Sequence, residues 1–502
     1  MLSRIFGFLR DVLVANILGA SILTDAFFVA FKLPNLLRRL FAEGAFNAAF
    51  LPMFAGLLKK EGKQVALRFA SQAASFLSLI LIIVSMAAIA AMPFVIMIIA
   101  PGFEQGSDLF TLTVELARIT FPYLFFISLV CLLGGVLNSI GKFAAVAATP
   151  ILMNIAIIFA LLCLTDMNQT GAHALAYGVL IAGVAQFLWL VIACIRAGML
   201  PRFAFPRLTP NIKKLLIIIG PAAIGAGVAQ INILIDMIIA SKFENAVSFL
   251  YYADRLYELP LGVIGVAVAT ALLPTLSGHI QAGEHAEATK KTDQAITLVM
   301  LFGIPSCFAL LTIANPIIQV VFEHGAFDAA DRAATAPALI AYAAGIPAFL
   351  LIKIFATHFY AAQDTKTPVK IATLCVGVNL VLNLILMHYI AHVGLAVATS
   401  VAGWLNAILM GLSLSKRGAY HPSPVVFATI GKLITSALVM VVVLELIGMS
   451  LNAMFSVPNI TMQAIALMGL VGAGILSYFA TVIATGAITP HQVRQMLRKS
   501  ST

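Results

Sequence analysis

Apolar residues fill this chain in blocks of membrane-crossing length, and the polar breaks between them are short. A helix needs about 20 mostly apolar residues to cross a bilayer. On that measure the pattern predicts fourteen helices, over 2–20, 23–56, 68–100, 111–139, 144–165, 171–197, 212–242, 246–278, 293–323, 332–362, 367–388, 392–415, 425–449 and 462–488. Several are longer than a perpendicular crossing requires, so tilt, kinks or ends that protrude into water are expected. Pro34 and Pro260 fall inside two of the predicted helices and should bend or break them, because proline lacks the backbone donor and crowds the preceding turn.

The polar breaks alternate in charge. Lys59, Lys60, Lys63 and Arg68 follow the second predicted helix, and Lys142 follows the fourth. Arg196, Arg202, Arg207, Lys213 and Lys214 separate the sixth from the seventh, and Lys290, Lys291, Lys366, Lys370, Lys416 and Arg417 continue the series to a tail with Arg494, Arg498 and Lys499. The intervening breaks hold Glu104, Asp108, Asp166, Glu323, Asp328 and Asp331. Because basic loops stay on the cytoplasmic side, both termini are expected there, and an even number of crossings agrees.

The chain also repeats. Pro34 matches Pro260 at a shift of 226, Pro122 matches Pro347 and Asn154 matches Asn379 at 225, and Pro93 matches Pro316 at 223. Each unit holds six predicted helices, so the halves share an orientation as parallel repeats, and transporters place substrate between such halves. The expected fold is therefore an all-α membrane protein: 1–205 as an N-terminal lobe, 206–420 as a C-terminal lobe, and 421–502 as an appended helix pair with a basic tail.

Composition narrows the function. The chain has 502 residues, of which 62% are hydrophobic and 10% charged, and its mean hydropathy is +1.05. No stretch is long and polar enough for a soluble ATPase or other catalytic module, so an enzyme is not expected. Gly135 to Lys142 has a phosphate-loop spacing one residue too long, with Phe143 where Ser or Thr is needed. The five cysteines lie singly in apolar runs, as small core residues do. The net charge of +10 sits in the short loops, where it orients the chain and does not mark a nucleic-acid partner. Asp11 and Asn16 interrupt the first apolar segment, which reads as an amphipathic helix and not a removable signal.

The informative polar residues are those inside the predicted helices. Arg4, Arg10, Lys32, Arg38 and Arg39 all fall within the first forty residues. A charged side chain at mid-bilayer costs about 2.5–3.5 kcal/mol on insertion scales, so such a cluster calls for a wet chamber and points to an anionic ligand. Guanidinium suits phosphate because its planar fork donates two bonds at once. Arg4 and Arg10 are six residues apart, about 120° around a helix and about 9 Å along it, so they need not grip the same atoms. Glu258 can face the same side as Arg255, Glu43 can pair with Arg39, and Glu115 with Arg118. A second set comprises Asp236, Asn379 and Asn383, four apart on one face, and Thr399. These oxygens suit a monovalent cation such as sodium, or else bond one helix to another.

Residues 3–54, SRIFGFLRDVLVANILGASILTDAFFVAFKLPNLLRRLFAEGAFNAAFLPMF, strongly resemble the MurJ (MviN) family of bacterial lipid II flippases, within the superfamily of multidrug and polysaccharide exporters. Ala100-Pro101-Gly102-Phe103, YYADRLYELP at 251–260 and DTKTPVKIA at 364–372 extend the resemblance over essentially the whole chain. It departs at the start, where family members carry further residues ahead of Ser3-Arg4; either the first helix is short or the natural start lies upstream. The resemblance implies two lobes around a central cationic cavity, a lipid-tail groove made by the last two helices, and residence in the bacterial inner membrane. The implied substrate is lipid II, a polyprenyl-diphosphate-linked disaccharide-pentapeptide carried from the inner to the outer leaflet. It maps the cavity arginines onto Arg4, Arg10, Arg38 and Arg255 and makes Asp25 a cavity residue; Glu258 either pairs internally with Arg255 or contacts the headgroup. Lys32, Arg39, Glu43 and Lys353 rank below these. It also implies that relatives bind sodium at positions matching Asp236, Asn379, Asn383, the Leu395 carbonyl and Thr399, with Asn383 standing where they have a second acid. Other readings remain open: a small-molecule exporter, which should have an acidic or aromatic cavity; a flippase for another polyprenyl-linked saccharide; or a membrane scaffold without transport.

Overall fold

The protein is described by a computed structural model covering residues 2–39, 46–165, 170–202, 205–457 and 459–487. All regular structure among them is helical. The chain runs α1 Leu2–Leu18, α2 Ile22–Leu37, α3 Asn47–Lys60, α4 Lys63–Ala90, α5 Met92–Ile99, α6 Asp108–Thr120, α7 Tyr123–Ser139, α8 Phe143–Ala147, α9 Thr149–Leu164, α10 Gly171–Arg196 and α11 Pro210–Ala240. It continues with α12 Ala246–Pro260, a π-helical turn Leu261–Gly265, α13 Val266–Gln281, α14 His285–Phe322, α15 Ala329–Ala343, α16 Ile346–Ala361, α17 Lys366–Ile390, α18 Val393–Lys416, α19 Pro424–Ser456 and α20 Ile460–Ala484.

Ten helical stretches among the described residues are long and apolar enough to cross a membrane. In six of them less than 40% of the most apolar stretch is buried. In Lys366–Ile390 only 17% of the most apolar window is buried, and Met449 and Leu476 on α19 and α20 are about three-quarters exposed. A soluble protein does not leave that much apolar surface in water, so this surface faces lipid and the chain is a multi-pass membrane protein. The remaining expected crossings, over 2–20, 23–56, 212–242 and 246–278, carry all the candidate charges except Lys353. Three of them appear as helices of 14 to 17 residues or as pairs of such helices.

Local chemistry sets the breaks. Ser107 Oγ caps α6 by accepting the Phe110 N–H, and Asp328 caps α15 through the N–H groups of Ala330 and Asp331. Such caps satisfy donors that the first helical turn leaves unpaired. Pro34 is accommodated within α2, whereas Pro260 ends α12 and is followed by the π turn. The long α14 is kinked at Ile313, ahead of Pro316. The predicted helix 68–100 is split at Ala91 into α4 and α5.

Two compact units result. One comprises the chain through Ser248 together with Gly325–Phe327; the other runs from Phe249 to His324 and from Asp328 onward. In the first, α10 packs on α9 and α7, α2 on α6, and α1 on α9. The helix α11 joins this unit by packing on α3, α4 and α5, so the compact unit extends past the repeat boundary expected at 205/206. In the second, α14 packs on α15, α16 and α19, α16 and α17 pack on α18, and α19 pairs with α20.

At one end of the second unit the DTKTP segment closes a turn. Asp364 Oδ1 accepts the N–H groups of Lys366 and Thr367, capping α17, while Oδ2 accepts Thr367 Oγ1 (2.6 Å) and Arg417 Nη1 (2.6 Å). The Arg417 guanidinium also lies over the Phe359 ring. That motif is therefore a junction of α16, α17 and the end of α18.

Candidate functional site

In the first unit, Arg10 projects from α1 toward α9. Its Nε and Nη2 donate to Asp11 Oδ1 (3.0 and 2.7 Å), and its Nη1 donates to Asn154 Oδ1 (3.0 Å). Asn154 Nδ2 in turn donates to the Ser3 carbonyl (3.0 Å). Asp11 is 3% exposed, so Arg10 neutralises a buried carboxylate and holds α1 to α9. Arg4 is exposed.

Asp25 is buried in the first turn of α2, and its Oδ1 accepts both the N–H (2.8 Å) and the hydroxyl of Ser248. It therefore caps the start of α12 and not its own helix, whose N-cap Ser21 makes no side-chain cap bond. Arg38, just past α2, donates from Nε (3.1 Å) and Nη2 (2.8 Å) to Asn35 Oδ1. Lys32 is half-buried and Arg39 exposed. Glu43 lies outside the described residues. The expected Glu115–Arg118 pair does not form: His173 Nε2 approaches Glu115 (3.3 Å), and Arg118 Nε donates to the Ile89 carbonyl (3.3 Å). Ile89 lies in the last turn of α4, where carbonyls lack helical donors and compete for a nearby guanidinium.

In the second unit, Arg255 and Glu258 share a face of α12 as their spacing predicts. Their contact is long, 3.4 Å, both side chains are partly exposed, and the guanidinium sits 4.6 Å above the Tyr251 ring. Lys353 on α16 donates to the Leu261 carbonyl (3.1 Å) and packs against Gly265. The π turn after Pro260 thus has one of its carbonyls met by a lysine from another helix, which a widened turn often requires.

The cation candidates fall in both units. Asp236 accepts a bond from Asn232 on its own helix (3.4 Å). In the second unit Asn383 Nδ2 donates to Asn379 Oδ1 (3.0 Å), Asn379 Nδ2 to Thr399 Oγ1 (3.4 Å), and Thr399 Oγ1 to the Leu395 carbonyl (2.9 Å). These four groups bond to one another between α17 and α18. Among the described residues no three His, Cys, Asp or Glu side chains cluster as metal ligands.

The sequence alone did not reveal Asn154, Asn35, Ser248 and the Leu261 carbonyl as partners. Asn154 carried the one usable signal, a lone carboxamide in the apolar run ILMNIAII.

Across these segments, α1, α2 with its extension to Arg39, and α12 hold six basic residues (Arg4, Arg10, Lys32, Arg38, Arg39, Arg255) and four acidic ones (Asp11, Asp25, Asp254, Glu258). Arg10 pairs with Asp11, so five basic and three acidic side chains remain, a formal surplus of two positive charges.

The profile of the family described as lipid II flippase MurJ matches residues 14–484. A probable lipid II flippase MurJ from Rhizobium meliloti (strain 1021) is 38% identical, covering 100% of this chain and 94% of its own length. The lipid II flippase MurJ of Burkholderia cenocepacia is 39% identical over 88% of this chain and 86% of its own. Among solved structures, a lipid II flippase MurJ in an inward closed conformation superposes with a TM-score of 0.80 at 28% identity, covering 95% of this chain and 96% of that one. An inward-facing multidrug transporter of the MATE family shares the fold with a TM-score of 0.69 at 15% identity, over 83% of this chain and 94% of its own. The chain belongs to the lipid II flippase MurJ family.

Proposed function

We propose that this protein is a lipid II flippase of a bacterial inner membrane, with both termini in the cytoplasm. It carries the polyprenyl-diphosphate-linked disaccharide-pentapeptide from the inner to the outer leaflet by alternating access, for cell-wall synthesis. The cationic surplus on α1, α2 and α12 is the observation that carries this reading, since an exporter of organic cations would need the opposite sign. Arg38, Arg255 and Arg4 are assigned to the diphosphate and its sugar, with Lys32, Arg39 and Lys353 adding positive potential. Arg10 contributes its guanidinium edge while holding Asp11. The apolar outer faces of α19 and α20 receive the polyprenyl tail.

A ligand shifts a conformational balance only by binding one state more tightly than the other. The diphosphate meets that condition if the arginines converge on it in one state and separate in the other. The test is replacement of a host's own flippase by variants. Arg38→Ala and Arg255→Ala should insert at normal levels and fail to deliver lipid II to the outer leaflet. Normal delivery by both would eliminate the assignment and favour a scaffold.

A further inference from the structure

Between them α19 and α20 hold two charged residues, Lys432 and Glu445, both exposed on α19. Lys432 is accounted for. Its Nζ donates to the Gly486 carbonyl (3.4 Å), just past the end of α20, so it marks the level at which the helix pair ends on that side. A lysine at the edge of the apolar layer, its ammonium turned to a terminal carbonyl, behaves as long basic side chains do there. Glu445 is different. It lies 13 residues beyond Lys432 on the same helix. That spacing is about 20 Å of helix, so in an apolar layer about 30 Å thick the carboxylate sits about 10 Å inside the far edge. A glutamate side chain is too short to cover that distance. Among the described residues none bonds to it. A carboxylate at such depth is costly and points to a functional contact.

The face that carries Glu445 narrows what the contact is. Leu433, Ser436, Ala437, Met440 and Leu444 turn inward, where α19 packs on α14 and α20. The opposite side presents an exposed stripe of Thr435, Leu438, Val442, Glu445, Met449 and Asn452. Its steps alternate between three and four residues, the spacing with which one helix offers a seam to another. Glu445 is the one charge in this seam.

We propose that this stripe docks a transmembrane helix of another membrane protein, and that the helix brings a lysine or arginine to the depth of Glu445. Charge excludes the other occupants. A polyprenyl tail has no cation to offer. The amine of a lipid headgroup stays at the surface, about 10 Å away. A second copy of this chain, related by a two-fold axis along the membrane normal, would set Glu445 against Glu445 and Lys432 against Lys432. Between helices in lipid, hydrophobic burial supplies no driving force, and polar contacts across the seam hold the pair together. The carboxylate thus selects a partner by the sign of its charge and by the depth at which that charge lies.

The test uses the full chain in cells, with a photoreactive benzoyl-phenylalanine in place of Met449, one turn from Glu445 and exposed. Irradiation should join it to a protein, and mass spectrometry of the joined peptide should place the contact in an apolar segment of membrane-crossing length that contains a lysine or arginine. Glu445→Gln keeps the shape of the side chain. At equal membrane levels it should cut this adduct about ten-fold or more, because it strands the partner's charge. Exchanging the charges, with Glu445→Lys and an acid at the partner's basic position, should restore it. The photoreactive group in place of Leu374, exposed on α17, should not form it. An adduct with lipid alone, with a second copy of this chain, or with a segment that lacks a basic residue would overturn the proposal. So would an adduct undiminished by Glu445→Gln. Should that variant insert poorly, neutralising the partner's basic residue decides from the other side: the adduct must fall by the same factor, and an unchanged yield refutes the pairing.

Discussion

Replacing Arg10 by leucine separates a structural from a functional arginine. The guanidinium makes two bonds to Asp11 and one to Asn154, and Asp11 is 3% exposed. Removing one partner of such a pair leaves an uncompensated carboxylate, at a cost of about 3–5 kcal/mol. Asn154→Ala should cost less, about 1.5–3 kcal/mol, because it removes a charge-assisted bond and leaves the ion pair intact. Replacing both charges by apolar groups of similar volume is often close to neutral, so Arg10→Leu with Asp11→Leu should recover most of the loss. Unfolding of each variant in mild detergent measures the stabilities, and complementation of a flippase-depleted host measures delivery. The single variant should be unstable and inactive; the double variant should be stable and still inactive. A single-variant loss below about 1 kcal/mol would refute the buried-pair reasoning, which rests on desolvation. A double variant that regains both stability and delivery would confine Arg10 to holding α1 against α9.

At the Asp364 junction, Asp364→Ala should cost about 0.5–2 kcal/mol through loss of the α17 cap. Arg417→Ala, at a half-exposed side chain, should cost less than about 1 kcal/mol. The Thr367 hydroxyl and N–H, with the Arg417 guanidinium, hold the Asp364 carboxyl below its ordinary value of 3.8, so its contribution is complete above that pH and is lost as acidification proceeds below it. An acid-unfolding titration in which Asp364→Asn and wild type lose stability in parallel below pH 4 would contradict this. Lys353→Met leaves the Leu261 carbonyl without its lysine donor and should cost about 1–3 kcal/mol, measured by thermal unfolding; Lys353→Arg should retain most of it. The hydrogen-bonded chain from Asn383 to Leu395 predicts equal melting temperatures in sodium and potassium. A sodium-specific rise that Asp236→Asn abolishes would show that these oxygens rearrange around the ion.

The candidate site was legible where it depends on neighbours along one helix. Arg255 and Glu258, three residues apart, share a face and meet at 3.4 Å. The Glu115–Arg118 pair met the same spacing rule and failed, because the end of α4 offered Arg118 a carbonyl that no local rule could foresee. Asp25 shows the same limit: it stands in the first turn of α2, and its carboxylate caps a helix that begins more than two hundred residues later.

By itself the sequence determined the helical class and the membrane setting, because apolar block length is a one-dimensional quantity. Tertiary structure decided which polar groups satisfy one another: Arg10 with Asn154, Asp25 with Ser248, and Lys353 with Leu261. Periodicity sets the direction of a side chain around its own axis. The partner it meets depends on how helices far apart in sequence pack, and in an apolar setting each unmet donor or acceptor takes whichever partner that packing brings within reach.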